Sequence, residues 1–352
     1  MDITPKIVLD LGGADLGEDE LLQGVKLAIR TQNCAFELVL VSNQIERTQE
    51  TANSIIGSLP DAVKLRFVNA AQRLPEQILS PVQVYKDYPD STINVGFREV
   101  RGNPNSAFIS TGNTGLVMTS ALFTLQRVKG ISRPPIASPL PTLGRTCFFL
   151  DAGSNVDCRP THLHHFAIIG SVYARKIWGR ERPSVGLLSN GSEEYKGNSQ
   201  VRETHALLSS DTSLNYIGYR EGNTVFDGDI DVLICDGFLG NVMLKFTEGL
   251  ATAITSLLKQ EIRKRPLAGL TAMLFQRAAF KALKRRIDYS EYGGAPLLGV
   301  NGNTVICHGR SDRNAIKNAI REALTLARKQ CSLRIEEEFA TKYFKCDETK
   351  ED

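Results

Sequence analysis

Apolar, β-branched runs recur along this chain. Each ends in a small polar loop, and helical spacing follows most of them. The pattern predicts strands at 6–10, 37–41, 64–68, 107–110, 147–151, 185–188, 231–235 and 304–307. Apolar residues at helical spacing predict helices at 25–31, 116–128, 164–178, 200–209, 242–264 and 315–329. Alternation of this kind predicts an α/β fold with a doubly wound, mainly parallel sheet. The Pro-rich stretch 130–142 reads as an extended crossing between two lobes around a cleft.

Four strand-to-helix loops share a spelling of Gly, Asn, Ser and Thr. They are Ser110 to Gly115, Asn190 to Asn198, Asp236 to Asn241 and His308 to Ser311. Such loops all emerge at one end of a parallel sheet. Backbone N–H groups at the helix starts converge there and favour an anion.

Composition narrows the possibilities. The chain has 352 residues, 42% hydrophobic and 23% charged, enough for a substantial core. A net charge of +3 makes no case for nucleic acid. The seven Cys are scattered without a Cys-x-x-Cys pair, which speaks against a zinc site or a disulfide framework and for a reducing cytosol. A strand begins almost at once, so no signal peptide is expected. No long apolar window spans a membrane. The Rossmann, Walker A and nucleophile-elbow motifs are absent, and neither a nucleotide cofactor nor a covalent serine mechanism is expected.

The loops also suggest chemistry. Thr111, Gly112, Asn113, Thr114 and Gly115 form either an anion cradle or an ordinary turn in which Asn113 or Thr114 caps the helix. Lys196 is either a phosphate partner or a solvated lysine. Asp236 and Asn241 flank a Gly-rich turn after a buried strand, where Asp236 acts on substrate or fixes the loop. His308 is open to three readings: acid, oxyanion donor or loop anchor. The cluster His162, His164 and His165 lacks acidic or Cys partners, so it reads as a solvated helix start and not as a metal site.

These loops, in this order, resemble the phosphate acyltransferase family of bacterial phospholipid synthesis over nearly the whole chain. The resemblance rests on Ser110 to Gly115, Arg133-Pro134 with Leu140-Pro141-Thr142, Leu150 to Asn155, Gly186 to Leu188, and Lys196 to Asn198. It rests further on Cys235 to Val242, Tyr292 to Gly299, His308-Gly309 and Ala315 to Ile320. The chain departs from the family at Asp10-Leu11-Gly12-Gly13-Ala14-Asp15, where the usual spelling is Asp-Ala-Met-Gly-Gly-Asp. Gly191-Ser192 and Ser138 also differ from the family pattern.

The resemblance implies a phosphotransacetylase-like and isocitrate/isopropylmalate dehydrogenase-like fold, usually dimeric. It implies transfer of an acyl group from acyl-carrier protein to inorganic phosphate, giving an acyl phosphate for glycerol-3-phosphate acylation, with no cofactor. Phosphate binding then falls to the Asn113-Thr114 loop and Lys196, helped by Asn198. Asp236, Asn241 and His308 fix loops or polarise the carbonyl. Asp10, Asp151, Asn155, Gly237, Gly293 and Gly294 belong to the substrate cleft. The partners implied are acyl-carrier protein, phosphate, a second copy of the chain and the membrane glycerol-3-phosphate acyltransferase.

Residues 259–286 hold nine basic residues against one acid, +8 in a chain of +3. Between the basic clusters lies an apolar tip with Leu267, Leu270, Met273, Leu274 and Phe275. Pro266 and Gly269 predict a helical hairpin at about 255–287. Basic flanks around an apolar tip suit the inner face of an anionic membrane, an acidic carrier protein or a dimer interface. Residues 331–352 read as a charged tail. The competing functions are a phosphotransacetylase-like enzyme using acyl-CoA, a dehydrogenase of the related fold, and a non-catalytic membrane-surface protein.

Overall fold

A computed structural model describes residues 4–264 and 293–343. The apolar tip around Leu267, Leu270, Met273, Leu274 and Phe275, most of the predicted hairpin, and the residues from 344 onward lie outside the described residues.

The first half of the chain runs β1 (Lys6–Asp10), α1 (Glu18–Thr31), β2 (Phe36–Ser42), α2 (Ile45–Ile56), β3 (Val63–Asn69), α3 (Pro81–Asp87), α4 (Thr92–Val100), β4 (Ser106–Ser110) and α5 (Thr114–Thr124). Then come β5 (Ala137–Leu140), β6 (Cys147–Leu150), α6 (Pro160–Lys176), β7 (Ser184–Leu188), α7 (Ser199–Ser210), β8 (Asn215–Arg220), β9 (Val232–Ile234) and α8 (Gly237–Lys264). After the undescribed segment follow β10 (Ala295–Leu297), β11 (Asn303–Ile306), α9 (Arg313–Arg328) and α10 (Cys331–Tyr343).

Where one doubly wound sheet was expected, the strands form two. One has the order β10-β11-β4-β1-β2-β3, the other β5-β6-β9-β7-β8. Within each, every pairing is parallel except one antiparallel edge strand, β10 against β11 and β5 against β6. A bridge between Ile136 and Leu297 joins the two sheets. Ile7, Val8 and Leu9 are fully buried, as are Val232, Leu233 and Ile234. Successive residues point to opposite faces, so both faces of each sheet are covered by helices. That explains why these strands read as continuous apolar runs.

The Pro-rich crossing holds a strand, β5, with Pro139 in it, and β10 likewise contains Pro296. Both are edge strands, the position that tolerates a residue without an N–H. α1 and α9 meet at Gly24, where an added Cβ would lie 2.6 Å from Ile316 Cβ. Residues from 331 do not begin a tail. Cys331, Ile335 and Phe339 are buried at four-residue spacing on α10, so one face of that helix belongs to the core.

Candidate active site

A cleft of about 710 Å³ opens at the carboxyl edge of the six-stranded sheet. Three loops line it: Leu11 to Gly13 after β1, Thr111 to Thr114 after β4, and Cys307 to Gly309 after β11. Asp15, Glu18, Arg47, Arg73 and Ile78 complete its walls.

The floor is pinned by Asp10. Its buried carboxylate accepts the Ser110 hydroxyl at 2.6 Å and the Gly12 N–H at 2.8 Å. Burial raises its pKa, opposed by the hydrogen bonds from Ser110, Thr92 and Gly12. Ser110 Oγ also accepts from the Gly112 N–H at 3.0 Å. The loops touch backbone to backbone: a Cβ on Gly13 would lie 2.5 Å from Gly112 Cα. No side chain larger than hydrogen fits there, which accounts for the one glycine shared with the family spelling.

Asn113 is the N-cap of α5, its Oδ1 accepting the Leu116 N–H at 3.0 Å. The Val117 N–H is taken by the Asn113 carbonyl at 2.9 Å. The N–H groups of Thr114 and Gly115, in the first turn, have no intrahelical acceptor. Beside them Thr111 is 2% exposed, lines the cleft, and its hydroxyl has no hydrogen-bond partner. A buried hydroxyl without a partner is costly unless a ligand meets it. Helix N–H groups, a free hydroxyl and the Asn113 amide together make a cradle for an oxyanion.

His308 enters the cleft from the third loop. Its Nδ1 accepts the Arg310 N–H at 3.1 Å, leaving Nε2 to carry the ring proton of the neutral form. Glu248 on α8 lies within electrostatic reach of His308; burial raises its carboxyl pKa and His308 opposes the rise. Arg47 and Arg73 are the guanidinium groups of the cleft. Sequence reasoning passed over both, because neither sits in a motif.

The remaining expected residues do not line this cleft. Asp151, at the end of β6, accepts from Ile136, Gly153, Ser154 and Asn155 backbone N–H groups and from the Ser154 and Asn155 side chains. It fixes its own loop. Gly237 donates its N–H to the Asn155 carbonyl at 2.8 Å, and a Cβ on it would lie 2.9 Å from Asp151 Oδ2. Asn241 packs by its Cβ against Gly153. Asp236 accepts the Leu239 N–H at 2.8 Å, tying the first turn of α8. Asn198 caps α7 through Val201 N–H at 2.9 Å. Lys196 Nζ lies 5.3 Å from the Tyr195 ring centroid. All of these stand at the carboxyl edge of the five-stranded sheet.

Gly293 and Gly294 serve packing. A Cβ on Gly293 would lie 2.2 Å from the Ala319 nitrogen, and one on Gly294 2.6 Å from Val305 Cγ1. The His cluster is not a solvated helix start. His164 Nε2 meets Asp211 Oδ2 at 2.7 Å, and His165 packs edge-on to Phe339 with ring centroids 5.4 Å apart. The buried thiols of Cys147 and Cys307 are pushed up to about 12 by burial, as expected of small hydrophobes in a core.

A model of the family described as "Fatty acid synthesis protein" matches residues 5–334. The chain is 51% identical over 254 residues to the phosphate acyltransferase of Geotalea uraniireducens, covering 72% of this chain and 73% of that one. It is 53% identical over 239 residues to that of Pelobacter propionicus, covering 68% of each. Among solved structures it resembles the EutD phosphotransacetylase from Staphylococcus aureus, with a TM-score of 0.57 at 14% identity, covering 93% of this chain and 94% of that one. A phosphotransacetylase from Streptococcus pyogenes gives 0.58 at 15% identity, covering 92% and 94%. The solved structures bear on the fold alone.

Proposed function

The chain belongs to the phosphate acyltransferase family of fatty acid synthesis proteins, and from that premise we propose that it moves a fatty acyl group from an acyl-carrier protein to inorganic phosphate. That the chain is an acyltransferase of lipid synthesis follows from the family itself. The carrier, the product and the residue roles are the proposal.

The observation that carries it is the start of α5 at the cleft, where the Thr114 and Gly115 N–H groups lack an intrahelical acceptor close to the buried, unpartnered Thr111 hydroxyl. Phosphate is held there by Thr111 Oγ, the Thr114 and Gly115 N–H groups and the Asn113 amide, in a cleft whose walls carry Arg47 and Arg73 as well as the carboxylates of Asp15, Glu18 and Glu76. One phosphate oxygen attacks the thioester carbonyl. The C–O bond forms, the carbonyl oxygen becomes an oxyanion, and the His308 Nε2–H donates to it. The oxyanion collapses, the C–S bond breaks, and acyl phosphate and a carrier thiolate leave. A thiol with a pKa of about 8.5 departs without a strong general acid. Phosphate is itself the nucleophile, so holding it against the carbonyl supplies most of the catalysis. Asp151, Asn155 and Asp236 tie the loops of the five-stranded sheet and Asn198 caps α7, so these residues act on the loops and not on the phosphate.

Two features extend the reading to partners. α8 leaves Phe238, Val242, Phe246, Leu250 and Ile254 exposed at four-residue spacing, a stripe suited to a second copy of the chain. The +8 charge of 259–286, with its apolar centre, suits an anionic membrane on which the product meets the glycerol-3-phosphate acyltransferase. Among the described residues no helix is long and apolar enough to cross a membrane.

The test is the conversion of a long-chain acyl-carrier protein to an acyl phosphate trapped as its hydroxamate, run beside the same acyl group on coenzyme A. Trapped product from the carrier protein supports the reading. Product from coenzyme A alone favours the phosphotransacetylase-like alternative, and none from either refutes the transfer.

A further inference from the structure

We propose that the seam between α3 and α5 holds the acyl chain of the substrate, which runs from the phosphate cradle along the outward side of α5. The inference rests on the transfer reading above and names the part of the molecule that would select a long chain.

The seam begins at the cradle. α5 starts at Thr114, and its partly exposed side carries Gly115, Met118, Leu122 and Phe123 at helical spacing. α3 lies against that side. Pro81 Cγ stands 3.2 Å from where a Cβ on Gly115 would be, and Tyr85 stacks on Phe123 with ring centroids 4.9 Å apart. From Gly115 to Phe123 the seam measures about 12 Å at the rise of an α-helix.

Its lips are apolar and open. Leu79 is 91% exposed, Val82 45% and Phe123 52%. Leu79 directly precedes Ser80, the N-cap of α3, where an apolar side chain ordinarily folds back on the fourth residue of its helix. Here Val84 is buried while Leu79 stands clear. Large apolar side chains held out beside a cleft mark a binding surface.

The chemistry sets where an acyl chain must leave. Product formation joins carbonyl carbon to a phosphate oxygen, so the chain begins one bond from the cradle. Asp15, Glu18, Arg47, Gln72 and Arg73 make much of the cleft wall polar or charged. Ile78 lines the cleft and directly precedes the exposed Leu79, so the apolar side chains of this side begin at the cleft's edge. A chain of methylenes leaving on that side keeps its surface out of water; one leaving on the charged side does not.

The test is binding of non-hydrolysable S-alkyl thioethers of pantetheine, from short to long alkyl chains, to the full-length protein. Each methylene buried is expected to tighten binding about fourfold, from about 0.8 kcal/mol per CH₂. The double variant Leu79→Ser with Val82→Ser, and separately Phe123→Ser, should flatten this dependence and leave the shortest ligand unchanged. Leu79 and Val82 are exposed enough that the fold tolerates the change. Chain-length dependence that persists in both variants, or is absent from the wild type, overturns the proposal. So does a matching loss of affinity for the unacylated carrier protein, which would make the seam a protein contact. Short-chain transfer to phosphate, measured on the same proteins, reports on the transfer reading separately.

Discussion

Ser110 donates its hydroxyl to the carboxylate of Asp10 at 2.6 Å, joining residues 100 positions apart at the floor of the cleft. The same oxygen receives the Gly112 N–H, so one hydroxyl ties the strand end of β1 to the loop that begins the anion cradle. Ser110→Ala takes one hydrogen bond from the buried Asp10 and leaves the Gly112 N–H without its acceptor. Expected is a loss of about 1–3 kcal/mol of stability, with a raised KM for phosphate. Chemical denaturation and a phosphate titration check the two effects. An unchanged KM would mean that the cradle does not depend on this tie.

Asn113 has two jobs that one substitution separates. Asn113→Asp keeps the cap on α5, because either residue accepts the Leu116 N–H, and a negative charge suits a helix start. Stability should therefore hold. The amide donors are gone and a negative charge faces the phosphate, so KM for phosphate should rise at least about tenfold, the equivalent of 1.4 kcal/mol. A variant with both wild-type stability and wild-type KM would remove the side chain from the phosphate site.

The clasp around Asp211 predicts a pH dependence. Asp211 accepts from Lys342, Ser213 and His164, and these bonds outweigh burial to hold its carboxyl at about 2 against an ordinary value of 3.8. The folded state binds this proton less readily than the unfolded one. Its contribution is therefore present above pH 3.8 and lost as the pH falls through 2. Lys342→Met should remove much of that acid-side slope and loosen α10. Denaturation curves across this window measure it, and an unchanged slope would count against the clasp.

The proposed membrane association rests on sequence charge alone, since its apolar residues lie beyond those described. Flotation with anionic vesicles should carry the wild-type protein upward. Leu270→Glu and Phe275→Glu should each release it, and 1 M salt should weaken what remains as screening shortens to about 3 Å. Flotation unchanged by both substitutions would locate the anchor elsewhere.

The parallel strands were legible because burial on both faces leaves an uninterrupted apolar run. The three missed strands each carry an interruption: Pro139 in β5, Pro296 in β10, and Gly218, with φ of 88°, in β8. The capped helix start at Asn113 was legible because its chemistry is local. Which loops share one cleft was not, since that depends on strand order. The five-stranded sheet takes Lys196, Asn198, Asp236 and Asn241 to another edge, while β1, β4 and β11 bring Gly13, Gly112 and His308 together. Arg47 and Arg73 give no periodic or motif signal, and only the fold brings them to the cleft. Gly293 and Gly294 read as loop glycines but answer to packing against α9 and β11.

The central claim is that phosphate, held at Thr111 to Gly115, attacks a carrier-bound acyl thioester. Its most direct measurement is the rate of carrier thiol release from a long-chain acyl-carrier protein as phosphate is titrated, in wild type and in Thr111→Val, which keeps the shape and removes the unpartnered hydroxyl. The account predicts saturable, phosphate-dependent release, with the phosphate dependence shifted to higher concentration in the variant. Release that ignores phosphate, or a variant that titrates like the wild type, would contradict it.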